Sequence, residues 1–507
     1  MSLLNETIAA GWAALQDPSI ALPTAGALLA AILLYPALFR SSANGKGVHK
    51  LGGLSILTPW PFFYQRYDFL TSGFARTRQK LFSFKVFHHT VFALKGEAAR
   101  KAFYDSKGLD LEEGYGLLMG SAPILQNIGV YLEPTQDISL FNKYILSLLN
   151  KERLTEALPT LFDDIQARME GWGKEGRMDP FTNVYDLVFQ TTIRMATCSE
   201  LATDMEALSK LKEQYVVLEK NATPIALLLP WLPSIAKRKK LIATKNLYNT
   251  MLPYVEKCKG ATTPSSDAID FLLSKGLTTD QVLEFVLNMI FLGLINTGCG
   301  VCWTLLFLSF HKEWKHKVFA EVQAIIVKHT TTSGDPLHKR LATVPLSAWE
   351  EEMPTLDLVL RETLRMTLSP TALRRNYNDN LEIMGTRIPI GDFVAYSLAD
   401  SHMNPDIYTN PTQFDPTRFD PGREEDKKET YAYLGWGGGR HPCLGMKFAK
   451  LETKIIVALF LAGYEYSVVN EKGEVPEHLP SVDFNDIHQP RPTAGQPCYL
   501  KLKRIVD

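Results

Sequence analysis

The sequence has almost no net charge to act with: 54 Lys+Arg stand against 55 Asp+Glu, leaving −1 over 507 residues. That balance excludes a basic nucleic-acid binder and a chain working through the bulk field of an acidic tail. Cysteine is scarce as well. Six thiols, at 198, 258, 299, 302, 443 and 498, are too few for a disulfide scaffold, and their spacing holds one Cys-x-x-Cys and no metal-finger pattern. Internal repeats and long low-complexity tracts are missing. What remains is ordinary globular material, 46% hydrophobic and 21% charged, which excludes a disordered chain.

Charge is also missing from one stretch. Residues 20–39, IALPTAGALLAAILLYPALF, carry none and match the ~20 residues that a bilayer span needs. A cleaved signal peptide wants basic residues before its apolar run, and none is there. Glu6 and Asp17 precede the run, whereas Arg40, Lys46 and Lys50 follow it, so the body belongs on the cytosolic side. The expected organisation is a luminal tail over 1–19, a signal anchor over 20–39 and a cytosolic body over 40–507. On that topology the sequon Asn5-Glu6-Thr7 lies in the lumen as a glycosylation candidate, and Asn221-Ala222-Thr223 lies in the cytosol and stays bare.

The body reads as one mainly helical unit with small sheets. Phe82, Phe84 and Val86 alternate, His88-His89-Thr90 offers a turn, and Val91 to Leu94 continues, which predicts a hairpin. Trp314, Val318, Val322 and Ile326 mark an amphipathic helix. Breaks are expected at Gly260–Asp267 and Thr330–Pro336, and a strand pair, Leu381–Met384 with Arg387–Ser397, around Gly385. PIALLLPWLPSIA, from 224, is apolar and proline-broken, and Lys237-Arg238-Lys239-Lys240 follow. It is either a buried loop beside a solvated helix start or a second membrane contact with the lysines at lipid headgroups.

One cysteine has a chemical context. In LGWGGGRHPCLGMKFAK, residues 434–450, Gly435 and Gly437 to Gly439 mark a tight loop, and an apolar periodic stretch begins at Met446. Cys443 thus precedes a helix N-terminus, where amides favour a thiolate. A glycine-walled thiolate suits an axial haem ligand, because missing side chains let a flat macrocycle approach.

Trp-x-x-Gly-x-His-x-Cys-x-Gly, from Trp436 to Gly445, resembles the haem-binding signature of the cytochrome P450 family. Glu362-Thr363-Leu364-Arg365 is similar to that family's Glu-x-x-Arg, and Pro416-Thr417-Arg418-Phe419 to its Pro-x-Arg-Phe. The resemblance implies a mainly α P450 fold with small β-sheets behind one transmembrane helix. It implies haem b with Cys443 as the iron ligand. Trp436, Gly439, Arg440, His441 and Arg374 would hold the cofactor, the basic side chains at its propionates. Glu362, Arg365 and Arg418 would form a structural network. It further implies an endoplasmic-reticulum enzyme that oxidises a lipophilic small molecule. No flavin or dinucleotide module fits this length, so electrons would come from a separate NADPH–cytochrome P450 reductase.

Within the family, NKYILSLLNKERLTEALPTL and the proline-broken loop look like the sterol 14-demethylase side, which suggests a terpenoid or sterol-like substrate, and Lys143 or Tyr144 near the propionates. Gly293, Thr371 and Ala372 would touch substrate. The central stretch FVLNMIFLGLINTGCGVCWTLLFL departs from the pattern. With Gly293 matched to the family's glycine, Ile295 stands where an acid is usual and Asn296 where an alcohol is, with Thr297 next. Asn296 and Thr297 are the candidate catalytic pair for proton delivery, or else local caps at a helix kink. The pattern Asn-x-Gly also resembles prostacyclin synthase and the cholesterol 7α-hydroxylase group, and it argues for a specialised, secondary-metabolite role. Oxygenation, an oxygen-independent isomerisation or dehydration, and a non-catalytic haem-thiolate sensor therefore all stay open. Cys299-Gly300-Val301-Cys302, inside this apolar helix, reads as small packing residues and not as a redox motif.

Overall fold

The computed structural model describes residues 48–506 apart from 53–57, 119, 121, 131–137, 230–231, 264, 331–333 and 487. The apolar run at 20–39 and Asn5 lie outside the described residues. Helices dominate. Those that frame the site are α1 (Pro59–Tyr64), α2 (Glu97–Asp105), α3 (Ile138–Leu148), α4 (Pro180–Ala196), α5 (Ser199–Thr203), α6 (Met205–Lys220), α7 (Pro224–Leu228), α8 (Ile235–Lys259), α9 (Thr279–Phe310), α10 (Lys312–His329), α11 (Pro354–Thr367) and α12 (Met446–Gly463). Among the described residues a six-stranded sheet runs β1-β2-β3-β9-β6-β4. Its strands are β1 (His49–Lys50), β2 (Leu81–Val86), β3 (His89–Leu94), β4 (Leu109–Asp110), β6 (Thr371–Asn376) and β9 (Phe393–Ser397). Smaller sheets join β5 (Glu175–Met178) to β12 (Tyr464–Val469) and β13 (Tyr499–Arg504), β7 (Glu382–Ile383) to β8 (Thr386–Arg387), and β10 (Gly437–Gly438) to β11 (His441–Pro442).

The 32-residue α9 is the axis. A capping box starts it: Thr278 accepts from the Gln281 amide, and Gln281 accepts from the Thr278 amide. It packs against α4, α8, α11 and α12, so most of its circumference is buried. Among the described residues it is the helix long and apolar enough to cross a bilayer, yet it is mostly buried inside the protein.

Local expectations met mixed outcomes. The hairpin forms, but the chain turns at Phe87–His88, with Phe87 at φ 52°, so His89 and Thr90 pair in β3 and do not turn. The helix breaks after Lys259 and His329 fall as expected. On α10 the fully buried positions are Val318, Val322 and Ile325, while Trp314 and Ile326 sit at the edge of that face. The strand expected over Arg387–Ser397 divides into β8 and β9. Pro389 cannot donate to a ladder, and Gly391 turns the chain at φ +82°.

Candidate haem-thiolate site

The loop before α12 is built as a small hairpin. Gly437 pairs with Pro442 and Gly438 with His441, and the Cys443 amide donates to the Trp436 carbonyl at 2.8 Å. Two glycines are obligatory. At Gly437, φ +73°, a Cβ would sit 2.4 Å from the His441 oxygen; at Gly439, φ +56°, it would sit 2.3 Å from the Tyr104 oxygen of α2. Trp436 packs on Leu360, Leu364 and Leu368 at the end of α11.

Cys443 is accessible to solvent although protein surrounds its sulfur, as expected of a side chain that lines a recess rather than an outer surface. The Gly445 and Met446 amides point at the sulfur and favour a thiolate, but burial outweighs them and pushes the thiol's pKa up. The helix start alone therefore does not deprotonate it. A coordinated metal does so outright, which makes this sulfur a ligand in waiting rather than a free nucleophile.

Three basic side chains gather beside the loop. Arg374 of β6 is 2% exposed, and burial lowers its pKa to about 10. Its guanidinium lies 4.5 Å from the Phe103 ring centroid and 5.2 Å from that of Tyr104, and Nη1 donates to the Phe103 carbonyl at 3.1 Å. Its Nε has no hydrogen-bond partner. His441 is half-buried, and burial, then Arg374 and Arg440, lower its pKa. Arg440 is exposed, with its backbone amide on the Tyr104 carbonyl. Among the described residues, no carboxylate forms an ion pair with Arg374, Arg440 or His441. A buried guanidinium without an acid calls for an anion from outside the chain, and the two carboxylates of haem are such anions.

Beneath the loop lies the opposite arrangement. Glu362 of α11 is fully buried and accepts from Arg365 through both oxygens, at 2.7 and 2.8 Å, from Arg418 Nε at 2.9 Å and from the Asp415 amide at 3.1 Å. Arg365 also donates to the His402 and Pro411 carbonyls. Arg418 continues to Glu425 at 3.0 Å and to the Thr409, Asn410 and Gln413 carbonyls. His402, which no sequence motif flagged, completes the frame. It is wholly buried, and burial lowers its pKa to about 3. Its Nε2 accepts from the Leu434 amide at 2.9 Å, so Nδ1 carries the proton and donates to the Leu368 carbonyl at 2.9 Å. One neutral imidazole thus ties the end of α11 to the start of the glycine loop.

On α9 the residues of interest interrupt an otherwise buried run. Leu292 and Asn296 are exposed and Gly293, Ile295 and Thr297 half-buried, between buried segments on both sides. The side chains of Asn296 and Thr297 make no hydrogen bond among the described residues, and the helix continues through both, so neither caps a kink. Cys299 and Cys302 are fully buried, with the Cys302 sulfur on the Pro180 carbonyl and both thiols pushed well above their usual pKa. They are packing groups. Thr371 is buried at the start of β6, and the half-buried Ala372 packs against the cluster around Phe103 and Tyr396. Tyr144 of α3 sits edge-on to Phe271 and Phe285, and Lys143 is exposed.

The sequence model of the family described as cytochrome P450 matches residues 140–490. The chain belongs to the cytochrome P450 family. Membership brings haem iron with thiolate ligation and monooxygenase activity. The P450 relatives include the cytochrome P450 monooxygenase AacuE of Aspergillus aculeatus, 32% identical over 88% of this chain and 90% of that one. The cytochrome P450 monooxygenase nsrP of Aspergillus novofumigatus is 31% identical over 84% of each. Mouse lanosterol 14-alpha demethylase is 24% identical, over 81% of this chain and 79% of its own. The P450 fold is shared with a retinoic acid bound cyanobacterial CYP120A1, with a TM-score of 0.70 and 20% identity over 90% of this chain and 99% of that one.

Proposed function

We propose that this P450 hydroxylates a lipophilic small molecule of terpenoid, sterol-like or other secondary-metabolite type, using haem b bound at Cys443. The observation that carries the assignment is the pairing of an accessible, protein-ringed thiol with unpaired basic groups beside it. Bound haem supplies dioxygen activation and a one-electron oxidant. The chain's own residues do the rest. Cys443 ligates the iron, while the glycines and Trp436 shape the loop. Arg374 and Arg440 hold the propionates, with His441 beside them as a third partner. Asn296 and Thr297, whose polar atoms are uncommitted, hold and pass protons on the α9 side. Apolar Leu292 and Ile295 exclude water there.

Electrons come from NADPH–cytochrome P450 reductase, and the anchor at 20–39 keeps the body on the cytosolic face of the endoplasmic reticulum. Supporting a lipid contact, α1 lies by α7, and Trp60, Tyr64, Leu232, Ile235 and Ile242 are exposed near Arg238 and Lys239. Lys240 is not part of that surface. It bonds the Gly120 carbonyl, and burial lowers its pKa to about 8. That arrangement suits a substrate drawn from the bilayer. Among the relatives, named fungal monooxygenases favour oxygenation over isomerisation.

Two measurements test this. The reduced carbon monoxide complex should show the thiolate-type absorption band, and Cys443→Ala should lose it; a retained band overturns the site. Turnover in labelled dioxygen should place label in the product, whereas product formed without oxygen or reductase overturns the reaction.

A further inference from the structure

Cys198 and Cys258 have no part in the haem site, yet they meet. Cys198 precedes α5 and is buried, Cys258 lies in the last turn of α8 and is partly accessible, and each thiol perturbs the other, Cys198 downward in pKa and Cys258 upward. The surrounding bonds hold the two segments in register around the sulfurs. Lys257 pairs with Glu200 at 2.7 Å, and the Tyr254 hydroxyl donates to Asp204 at 2.6 Å, so neighbours on both strands of chain already bridge the same gap. Ser199 bonds Asp267 through its amide and hydroxyl, both at 3.0 Å, which closes the third side. Cys198 also receives the Leu201 and Glu200 amides, which add to the lowering by its neighbour. Two neighbouring thiols, one of them accessible, are a pair that oxidation can join. No group of three or more His, Cys, Asp or Glu among the described residues is arranged for a metal, so the chemistry here is sulfur with sulfur.

We infer that Cys198 and Cys258 form a reversible, peroxide-driven disulfide that pins the root of the α6–α8 hairpin. Hydrogen peroxide is the oxidant. One sulfur attacks it, the O–O bond breaks, and a sulfenic acid forms as water leaves. The other thiol then attacks that sulfur, the S–S bond forms, and the S–O bond breaks with loss of a second water. The sulfurs lose two electrons and the peroxide gains them. In a reducing compartment such a bond is a switch, not a staple.

Position gives the bond its consequence. Residues 198 and 258 bracket α6, α7 and α8, and this hairpin rests on the first half of α9. The Tyr215 hydroxyl donates to the Leu287 carbonyl at 2.9 Å, Tyr248 to Asp280 at 2.7 Å and Thr279 to Glu256 at 2.6 Å. The accessible stripe at Leu292–Thr297 begins just beyond. Joining the two ends of the hairpin restrains its lifting from α9 and slows exchange of ligands at that stripe.

The test uses the full-length, haem-loaded protein. After brief hydrogen peroxide treatment, peptide mapping should recover a Cys198–Cys258 crosslink, thiol counting should fall by two, and dithiothreitol should reverse both. The rate of ligand-induced spectral change should fall severalfold with the crosslink. Cys258→Ser and, separately, Cys198→Ala should abolish crosslink and slowing while the carbon monoxide spectrum persists; Cys299→Ser should abolish neither. Independent alkylation of Cys198 and Cys258 in the treated wild type overturns the disulfide. A formed crosslink with unchanged ligand exchange overturns its role on the hairpin.

Discussion

The buried arginines around the cysteine loop, Arg365 and Arg418 on one hand and Arg374 on the other, are satisfied in opposite ways. Below it, Arg418 uses all its N–H groups on Glu362, Glu425 and three carbonyls, and Arg365 is nearly as complete. Beside it, Arg374 is as deeply buried but has one carbonyl, two aromatic faces and an idle Nε. A guanidinium taken from water needs compensation. In the first set the chain provides it and the result is rigidity. In the second the chain withholds it, which leaves a demand that the propionates of the proposed haem would meet. The same contrast holds on α9, where Thr304 bonds back to Gly300 while Asn296 and Thr297 bond nothing.

The satisfied side should break hardest. Glu362→Ala leaves two buried guanidiniums without their acid and should cost about 3–5 kcal/mol in denaturant unfolding, with loss of haem on purification. Unfolding within about 1 kcal/mol of wild type would mean that the network is not a folding unit.

A second buried acid sharpens the rule that pairing, not burial, decides. Glu452 of α12 is 1% exposed, and its one recorded side-chain partner is the Thr191 hydroxyl. Burial raises its pKa to about 8, so the folded protein keeps it protonated at neutral pH. The unfolded chain releases that proton near pH ~4.3. Its stability contribution is therefore complete below the unfolded value and is lost as pH rises toward 8. Glu452→Gln should remove that slope, gaining up to roughly 3 kcal/mol on wild type between pH 5 and 8. Parallel pH profiles of the two proteins would show the carboxyl to be ionised in the fold.

Arg374→Met should behave oppositely to Glu362→Ala. Removing an unpaired guanidinium should leave the haem-free chain within about 1 kcal/mol of wild type, while haem dissociation measured by transfer to apomyoglobin should quicken. Equal damage to both readouts would make Arg374 a member of the structural set.

The satisfied network was largely legible in the sequence and parts of its surroundings were not, for a physical reason. The glycines around Cys443 permit only a tight loop, so local spacing carried that part, whereas Glu362 and Arg365, three apart on one helix face, were joined to Arg418 by the family resemblance. His402 works through Leu368 and Leu434, each more than thirty residues away, and an isolated histidine carries no local sign of such a bridge. Glu452 looks like a surface acid until α12 proves to be enclosed all round. Lys240 read as one of four lipid-facing cations, yet its stem folds back onto Gly120. The proximity of Cys198 and Cys258 escaped because about sixty residues separate two thiols that no local motif links.

The smallest expected stability effect belongs to Asn296. It is exposed and its side chain bonds nothing among the described residues, so Asn296→Ala should change unfolding by no more than about 0.5 kcal/mol. An idle group on a buried helix is not needed for the fold, and its worth must lie in what comes to meet it. If it passes protons, NADPH consumption should continue while more of it ends as released peroxide and less as product. Thr297→Ala tests the second carrier in the same way, and the double variant separates them: a relay that runs through both residues should lose no more than the worse single change. Unchanged coupling in all three would place proton delivery with other groups and leave these positions to shape the cavity. Asn296→Asp restores an acid near where the family's pattern has one, and improved coupling in that variant would show that the amide works as a weaker substitute and not as a different chemistry.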